Sequence, residues 1–351
     1  MARSNVFYLL ILFVVLHLWL SSQHQHSLSL MSNDDLAYND NDEKDDCETM
    51  GSSSSSPQSP IPSSIRPKHS YQGLCQDEII GERQQKYGSK KKVISVSMFV
   101  PAGKESMEDW VLDGWRVLLD QVRVYYPDWI LRLYTAGLPV DEVQSLVEPW
   151  NHVEAVVCGA QPSNARMMLY RFLVVDDPTV GLSIVRDLDS RFSLRELMAV
   201  NEFIASDQHL FHVMRDHDQH TVPVMGGMFG MKHGLFDSDD NDDNSENTAT
   251  TTTMTSLVQR ALRDYPLPRR IPGCCAEDQS FLERYVWPLA KHKCMDHDMD
   301  PRRCRLYGSN ECRSFPLGPR NDATNFFVGA PFKGNHDFTE SSGYKCTIQC
   351  S

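Results

Sequence analysis

The sequence lacks three features whose absence narrows its function. It has no basic excess: 34 Lys and Arg stand against 47 Asp and Glu, a formal net charge of −13. Binding nucleic acid takes a basic surface to displace phosphate counterions, so the composition argues against that partner. Although it has ten cysteines, none forms a Cys-x-x-Cys pair, which removes the usual structural zinc spacings. It also lacks an apolar run of bilayer length. The longest, Val6 to Leu20, has 15 residues and is interrupted by His17, whereas a spanning helix takes about 20.

That short run still sets the compartment. With Arg3 on its N-terminal side, residues 1–20 read either as a signal-anchor in a thin early secretory membrane or as a cleaved signal peptide. Both readings deliver the remainder to an oxidising lumen. Residues 21–90 are rich in Ser, Asp, Asn, Gln and Pro with few periodic apolar positions. They bury too little surface to offset ordering entropy and are expected to form a disordered stem. Residues 91–351 remain as one domain of ordinary size. Seven cysteines follow Gly273, and disulfides are the expected reading in a luminal chain, with the pairing left open. The segment 291–351 is expected to be loop-rich. The acidic runs Asp34 to Glu48 and Asp237 to Glu246 lack the Gly and Glu spacing of a calcium loop and read as solvated chain. Residues 237–256 read as a low-complexity insertion.

The domain's rhythm is strand, helix, strand, helix. Val93 to Val100 is a β-branched apolar run, and Met107 to Tyr125 carries apolar residues at three- and four-residue spacing before Pro127 stops the helix. Trp129–Tyr134, Val153–Val157 and Gly181–Val185 follow as strands, separated by helices over Val140–Val147 and Ala165–Val175. Leu194–Ala205 reads as helix, Leu210–Met214 and Val222–Met225 as strands, and Glu277–Tyr285 as helix. This order predicts an α/β fold, a Rossmann-like, doubly wound, mostly parallel central sheet flanked by helices, with ligands at the carboxyl ends of the strands.

The fourth strand runs directly into Arg186-Asp187-Leu188-Asp189-Ser190-Arg191. In extended chain, residues two apart project to one side, so Asp187 and Asp189 would face a single point. Two such carboxylates suit a hard cation, Mn²⁺ or Mg²⁺, that keeps room for phosphate oxygens and water. Phosphatases of the haloacid dehalogenase type also use Asp-x-Asp, but after their first strand and with Thr or Val where Arg191 stands here.

Further motifs surround this one: Arg171-Phe172-Leu173, Asp176-Asp177-Pro178, His212 to His217, Pro223, Gly226-Gly227-Met228, Asp278-Gln279, Phe281-Leu282 and Val286-Trp287-Pro288. In this combination the chain, over Val93 to Ala330, resembles the GT-A type nucleotide-diphospho-sugar transferases (glycosyltransferases), and within them a subgroup marked by Arg-Asp-x-Asp-Ser-Arg. The resemblance implies a single GT-A-like catalytic domain. Asp187 and Asp189 would hold the metal and the donor diphosphate. Met98, Phe99 and Val100 would lie beside the nucleotide, and Arg171 near the donor. Gly226 and Gly227 would face the acceptor, Asp278 would be the catalytic carboxylate, and His297 a third metal ligand.

Each has a plainer alternative: Arg171 as a surface partner of Asp176 or Asp177, Asp278 as a helix cap, His297 as a surface histidine, and Gly226-Gly227 as a turn. The expected activity is metal-dependent transfer of a sugar from a nucleotide-diphosphate sugar to a glycan or glycoprotein acceptor, at the Golgi or endoplasmic reticulum membrane. A non-catalytic luminal glycan-binding protein on the same fold and a metal-dependent phosphohydrolase are the alternatives.

Overall fold

Nine strands form one sheet in the order β1-β4-β3-β2-β5-β7-β6-β8-β9. They are β1 (Cys75–Ile80), β2 (Lys91–Phe99), β3 (Ile130–Ala136), β4 (Val153–Cys158), β5 (Val180–Arg186), β6 (Phe211–Arg215), β7 (Met228–Lys232), β8 (Cys294–Asp298) and β9 (Glu311–Arg313). The computed structural model describes residues 71–83, 90–237, 252–264, 277–309, 311–318 and 327–332. The chain divides into two units, Met1–Ser64, which lies outside the described residues, and Ile65–Ser351. The expected anchor, most of the stem, the middle of the acidic insertion and Cys274, Cys275, Cys346 and Cys350 also lie outside them. Among the described residues no helix is long and apolar enough to cross a membrane.

Five of the eight pairings are parallel and three, β1·β4, β5·β7 and β6·β7, are antiparallel. The sheet is therefore mostly parallel and flanked by helices, as the rhythm predicts. The chain winds outward through β2, β3 and β4, then returns to place β5 on the other side of β2. That reversal makes the crevice between the carboxyl ends of β2 and β5 the ligand position of a doubly wound sheet.

Both faces of the sheet are covered. On one face α1 (Asp109–Tyr125), α2 (Val140–Val147) and α4 (Leu194–Ala205) pack Trp115, Leu118, Val122, Val143 and Phe203 against Ile94, Val96 and Leu133. On the other, the short α3 (Asn164–Met168) continues into a 3-10 helix, Leu169–Asp176. With α5 (Met254–Arg263) and α6 (Glu277–Phe281), it packs Phe172, Val258 and Phe281 against Val185 and Phe229. The start of α4 is fixed by Ser193, whose hydroxyl accepts the Glu196 amide hydrogen at 3.2 Å.

Four boundaries differ from the sequence reading. The domain begins before Lys91: Cys75–Ile80, assigned to the stem, is an edge strand held to β4 by the Cys75–Cys158 disulfide. Its CQDEII sequence lacks apolar alternation because one cross-link and main-chain pairing fasten it. The insertion ends earlier than Ser256, because Thr253 and Ser256 form a capping box that starts α5 at Met254. Val222–Met225 is not a strand, and pairing resumes at Met228. The region after Lys291 carries β8, which is wholly buried. Its Asp296 and Asp298 both pair with the buried Arg215 guanidinium, Asp298 at 2.7 Å, and Asp298 also pairs with Arg303 at 2.7 Å; two cations against two carboxylates let a charged strand enter a core. Cys304 pairs with Cys312, while Cys294 is a buried free thiol.

Candidate active site

Asp187 leaves the carboxyl end of β5 directly beside the winding reversal. The chain does not continue extended, as the sequence reading assumed. The Ser190 amide donates to the Asp187 carbonyl at 3.1 Å, making a turn over 187–190. The two carboxyls are nevertheless neighbours electrostatically. Asp189 as a residue keeps some surface, but its carboxyl is enclosed by protein. That enclosure, with the Asp187 charge beside it, pushes Asp189 up to about 7. Asp187 stays more open, its side chain 37% exposed.

The 3-10 helix brings Arg171 beneath Asp187, and α6 brings Asp278 to the same point. One Arg171 Nη donates to Asp187, and the other donates to Asp278 Oδ2 at 2.9 Å. Arg171 is thereby a buried bridge between two carboxylates and not a surface partner of Asp176 or Asp177. Burial works against the guanidinium charge, and Asp187 and Asp278 outweigh it, holding Arg171 above its ordinary value. Burial raises Asp278 above the usual carboxylate range, with Arg171 partly opposing. Its carboxylate also accepts the Gln279 amide hydrogen at 2.8 Å; Asp278 lies inside α6, one residue after its first, and is not the residue that caps it.

Gly226 and Gly227 close the other side. Because β7 is antiparallel to β5 and Met228 pairs with Arg186, the two residues before Met228 sit at the same sheet edge as Asp187. A Cβ on Gly226 would lie 3.2 Å from Arg171 Nη2 and nearer to the Asp278 carboxylate. One on Gly227 would overlap the Asp187 carboxylate. The pair is more than a turn: its missing side chains make room for three charged groups.

On the neighbouring strand, Phe99 and Val100 are half-buried at the end of β2, with the Val100 amide donating to the Ala136 carbonyl at 3.2 Å. Met98 is packed into the core, which leaves only its main chain to face a ligand.

His297 does not join this group. It lies on β8, three strands from β5, or about 14 Å at ordinary strand spacing. It is buried, 2.8 Å from His212 Nε2 and 3.1 Å from Glu202 Oε2. Burial lowers its basicity, opposed by Glu202. The aspartates on either side of His297 give the segment no apolar pattern although every residue of the strand is buried, so a core histidine reads as a surface one. Among the described residues no group of three or more His, Cys, Asp or Glu is arranged to hold a metal. Asp187 and Asp189 alone could supply two oxygen ligands to a hard cation, which routinely takes the rest from water and phosphate.

Sequence reasoning missed the segment 327–332, which crosses this edge. The Phe332 amide donates to the Asp189 carbonyl at 2.8 Å, and the Val328 amide to Asp216 Oδ2 at 3.1 Å. The Arg191 guanidinium lies 5.3 Å from the centre of the Phe332 ring. Gly329, at φ +83°, turns where a Cβ would strike the Met228 side chain. A lone Gly-Ala-Pro in a loop region was the available signal.

No protein-family description and no curated protein matches the sequence. Solved structures with a similar course of chain include the glycosyltransferase GlyE of Streptococcus pneumoniae TIGR4, at 11% identity and a TM-score of 0.38 over 59% of this chain; the match spans 45% of GlyE. They also include 4-diphosphocytidyl-2C-methyl-D-erythritol synthase of Anaerococcus prevotii DSM 20548, at 12% identity and a TM-score of 0.33, covering 60% of this chain and 87% of that one. A cytidylyltransferase of Leptospira borgpetersenii matches at 12% identity and a TM-score of 0.31, covering 59% and 75%.

Proposed function

We propose that this protein is a metal-dependent glycosyltransferase that moves a sugar from a nucleoside-diphosphate sugar to a hydroxyl of a glycan or glycoprotein. The observation that carries the reading is the meeting of Asp187, Arg171 and Asp278 under Gly226-Gly227, at the carboxyl ends of the strands where the winding reverses. Asp187 and Asp189 are the residues that would hold Mn²⁺ or Mg²⁺. Bound there, the cation would bridge the donor diphosphate and offset charge on the departing phosphate.

The chain's own groups divide the remaining work. Phe99 and Val100, with the Met98 main chain, offer a half-buried wall for the nucleotide. Gly226 and Gly227 seat the carboxylates that would face the sugar, because a Cβ on either would displace them. Asp278 would accept the proton of the acceptor hydroxyl, and burial raises its basicity above that of a free carboxylate. The cross-links Cys75–Cys158 and Cys304–Cys312 support an oxidising compartment. With the N-terminal apolar segment they favour a luminal domain tethered to a Golgi or endoplasmic reticulum membrane. The test is release of nucleoside diphosphate from a panel of nucleotide sugars, with and without Mn²⁺, by the wild-type protein and Asp189→Ala.

A further inference from the structure

Among the described residues Arg171 is the cation bonded to both Asp187 and Asp278, and its surroundings restrict what it can do. Its main chain is pinned, the Ser95 hydroxyl donating to the Arg171 carbonyl at 2.6 Å. The Nη that donates to Asp187 also reaches the Arg186 carbonyl at 3.3 Å. Gly226 walls the opposite Nη. Among the described residues the buried Nε–H has no hydrogen-bond partner, so the fork alone carries the guanidinium's hydrogen bonds.

We propose that Arg171 is a shared counter-charge that couples cation loading at Asp187 to the engagement of Asp278. This inference rests on the metal-site reading above. A divalent cation and a guanidinium compete for the negative charge of one Asp187 carboxylate, and because that carboxylate is only partly exposed, water screens the two charges incompletely. Cation binding therefore weakens the Arg171–Asp187 bond and shifts the guanidinium toward Asp278, holding that carboxylate ionised and oriented. The reverse follows by linkage: Asp278, by drawing Arg171 to itself, makes Asp187 more available to the cation. Arg171 is a positioning residue on this account, acting through the two aspartates.

The coupling makes a signed prediction about a residue that touches no metal. Full-length wild-type protein, Arg171→Gln, Asp278→Asn and the double variant are titrated with MnCl₂, and folding is checked by circular dichroism. Asp278→Asn is expected to weaken Mn²⁺ binding about tenfold, and Arg171→Gln to strengthen it, a coupling of ordinary size. In the Arg171→Gln background the Asp278→Asn effect is expected to shrink to within about twofold, a failure of additivity. Equal effects of Asp278→Asn in both backgrounds would mean that Asp278 acts only through its own field, and would overturn the proposal while leaving the metal site standing. No Mn²⁺ binding by the wild type would overturn the metal-site reading, and the proposal with it. If Arg171→Gln does not fold, Arg171→Lys serves as the background. There a lost Asp278→Asn effect would show that the fork itself carries the coupling, and Arg171→Met, which removes the charge and keeps the buried stem, is the background in which an undiminished Asp278→Asn effect overturns the proposal.

Discussion

Gly227→Ala is the smallest perturbation that separates a built site from an incidental turn. Gly227 has an ordinary φ, so alanine costs nothing in backbone conformation; the obstacle is space. The new Cβ would lie 2.8 Å from the Asp187 backbone nitrogen and closer still to its carboxylate. An ordinary contact begins at 3.4 Å, so main chain must separate from main chain by at least about 0.6 Å, because a backbone nitrogen has no rotamer to change. Overpacking of this kind costs about 1–3 kcal/mol. A displacement approaching 1 Å in a positioned group lowers turnover about 100-fold. Urea denaturation measures the first quantity and Mn²⁺-dependent release of nucleoside diphosphate the second. Gly227→Ala with unchanged stability and unchanged turnover would refute the claim that the glycine pair shapes the carboxylate cluster.

Two other outcomes follow from the buried charges. Asp189 titrates at about 7 in the folded chain against 3.8 for an ordinary carboxyl. The folded state thus keeps a proton that the unfolded chain has released, so the stability it contributes is full below about pH 4 and is lost as pH rises through 7. In metal-free buffer the urea midpoint is expected to fall between pH 5 and pH 8, and to fall less in Asp189→Asn; equal slopes would contradict this. Arg215→Met would strand the buried Asp296, while Asp298 keeps its pair with Arg303 at 2.7 Å, at a cost of about 3–5 kcal/mol. A loss below about 1 kcal/mol in denaturant unfolding would show that the strand tolerates its charges unaided.

Where local rules govern, the sequence was legible to the residue. Val140–Val147 and Leu194–Ala205 match the observed helices at both ends, because their apolar spacing is regular and Pro139 and Ser193 mark their starts. The parallel strands β2, β3, β4 and β5 were legible as β-branched runs. The strand β8 was not, since CMDHD has no apolar alternation and its charges are met by Arg215, on another strand, and by Arg303. Nor was β1, whose place depends on Cys158, 83 residues away in sequence. The site divides in the same way. Asp187 and Asp189 announced themselves through their position after a strand, and motif resemblance brought in Arg171, Asp278 and the two glycines. That Arg171 and Asp278, 107 residues apart, share a hydrogen bond lies in the sheet topology and not in any spacing. His297 failed for the reason β8 did: neighbouring aspartates disguised a core position.

The central claim, that Asp187 and Asp189 hold a cation which holds a donor diphosphate, is tested most directly by nucleotide-sugar turnover of full-length protein. The account expects at least one nucleoside-diphosphate sugar to be cleaved with Mn²⁺, no cleavage in its absence, and none by a folded Asp189→Ala. Cleavage that persists in Asp189→Ala, or no cleavage of any nucleotide sugar by the wild type with Mn²⁺, would contradict it.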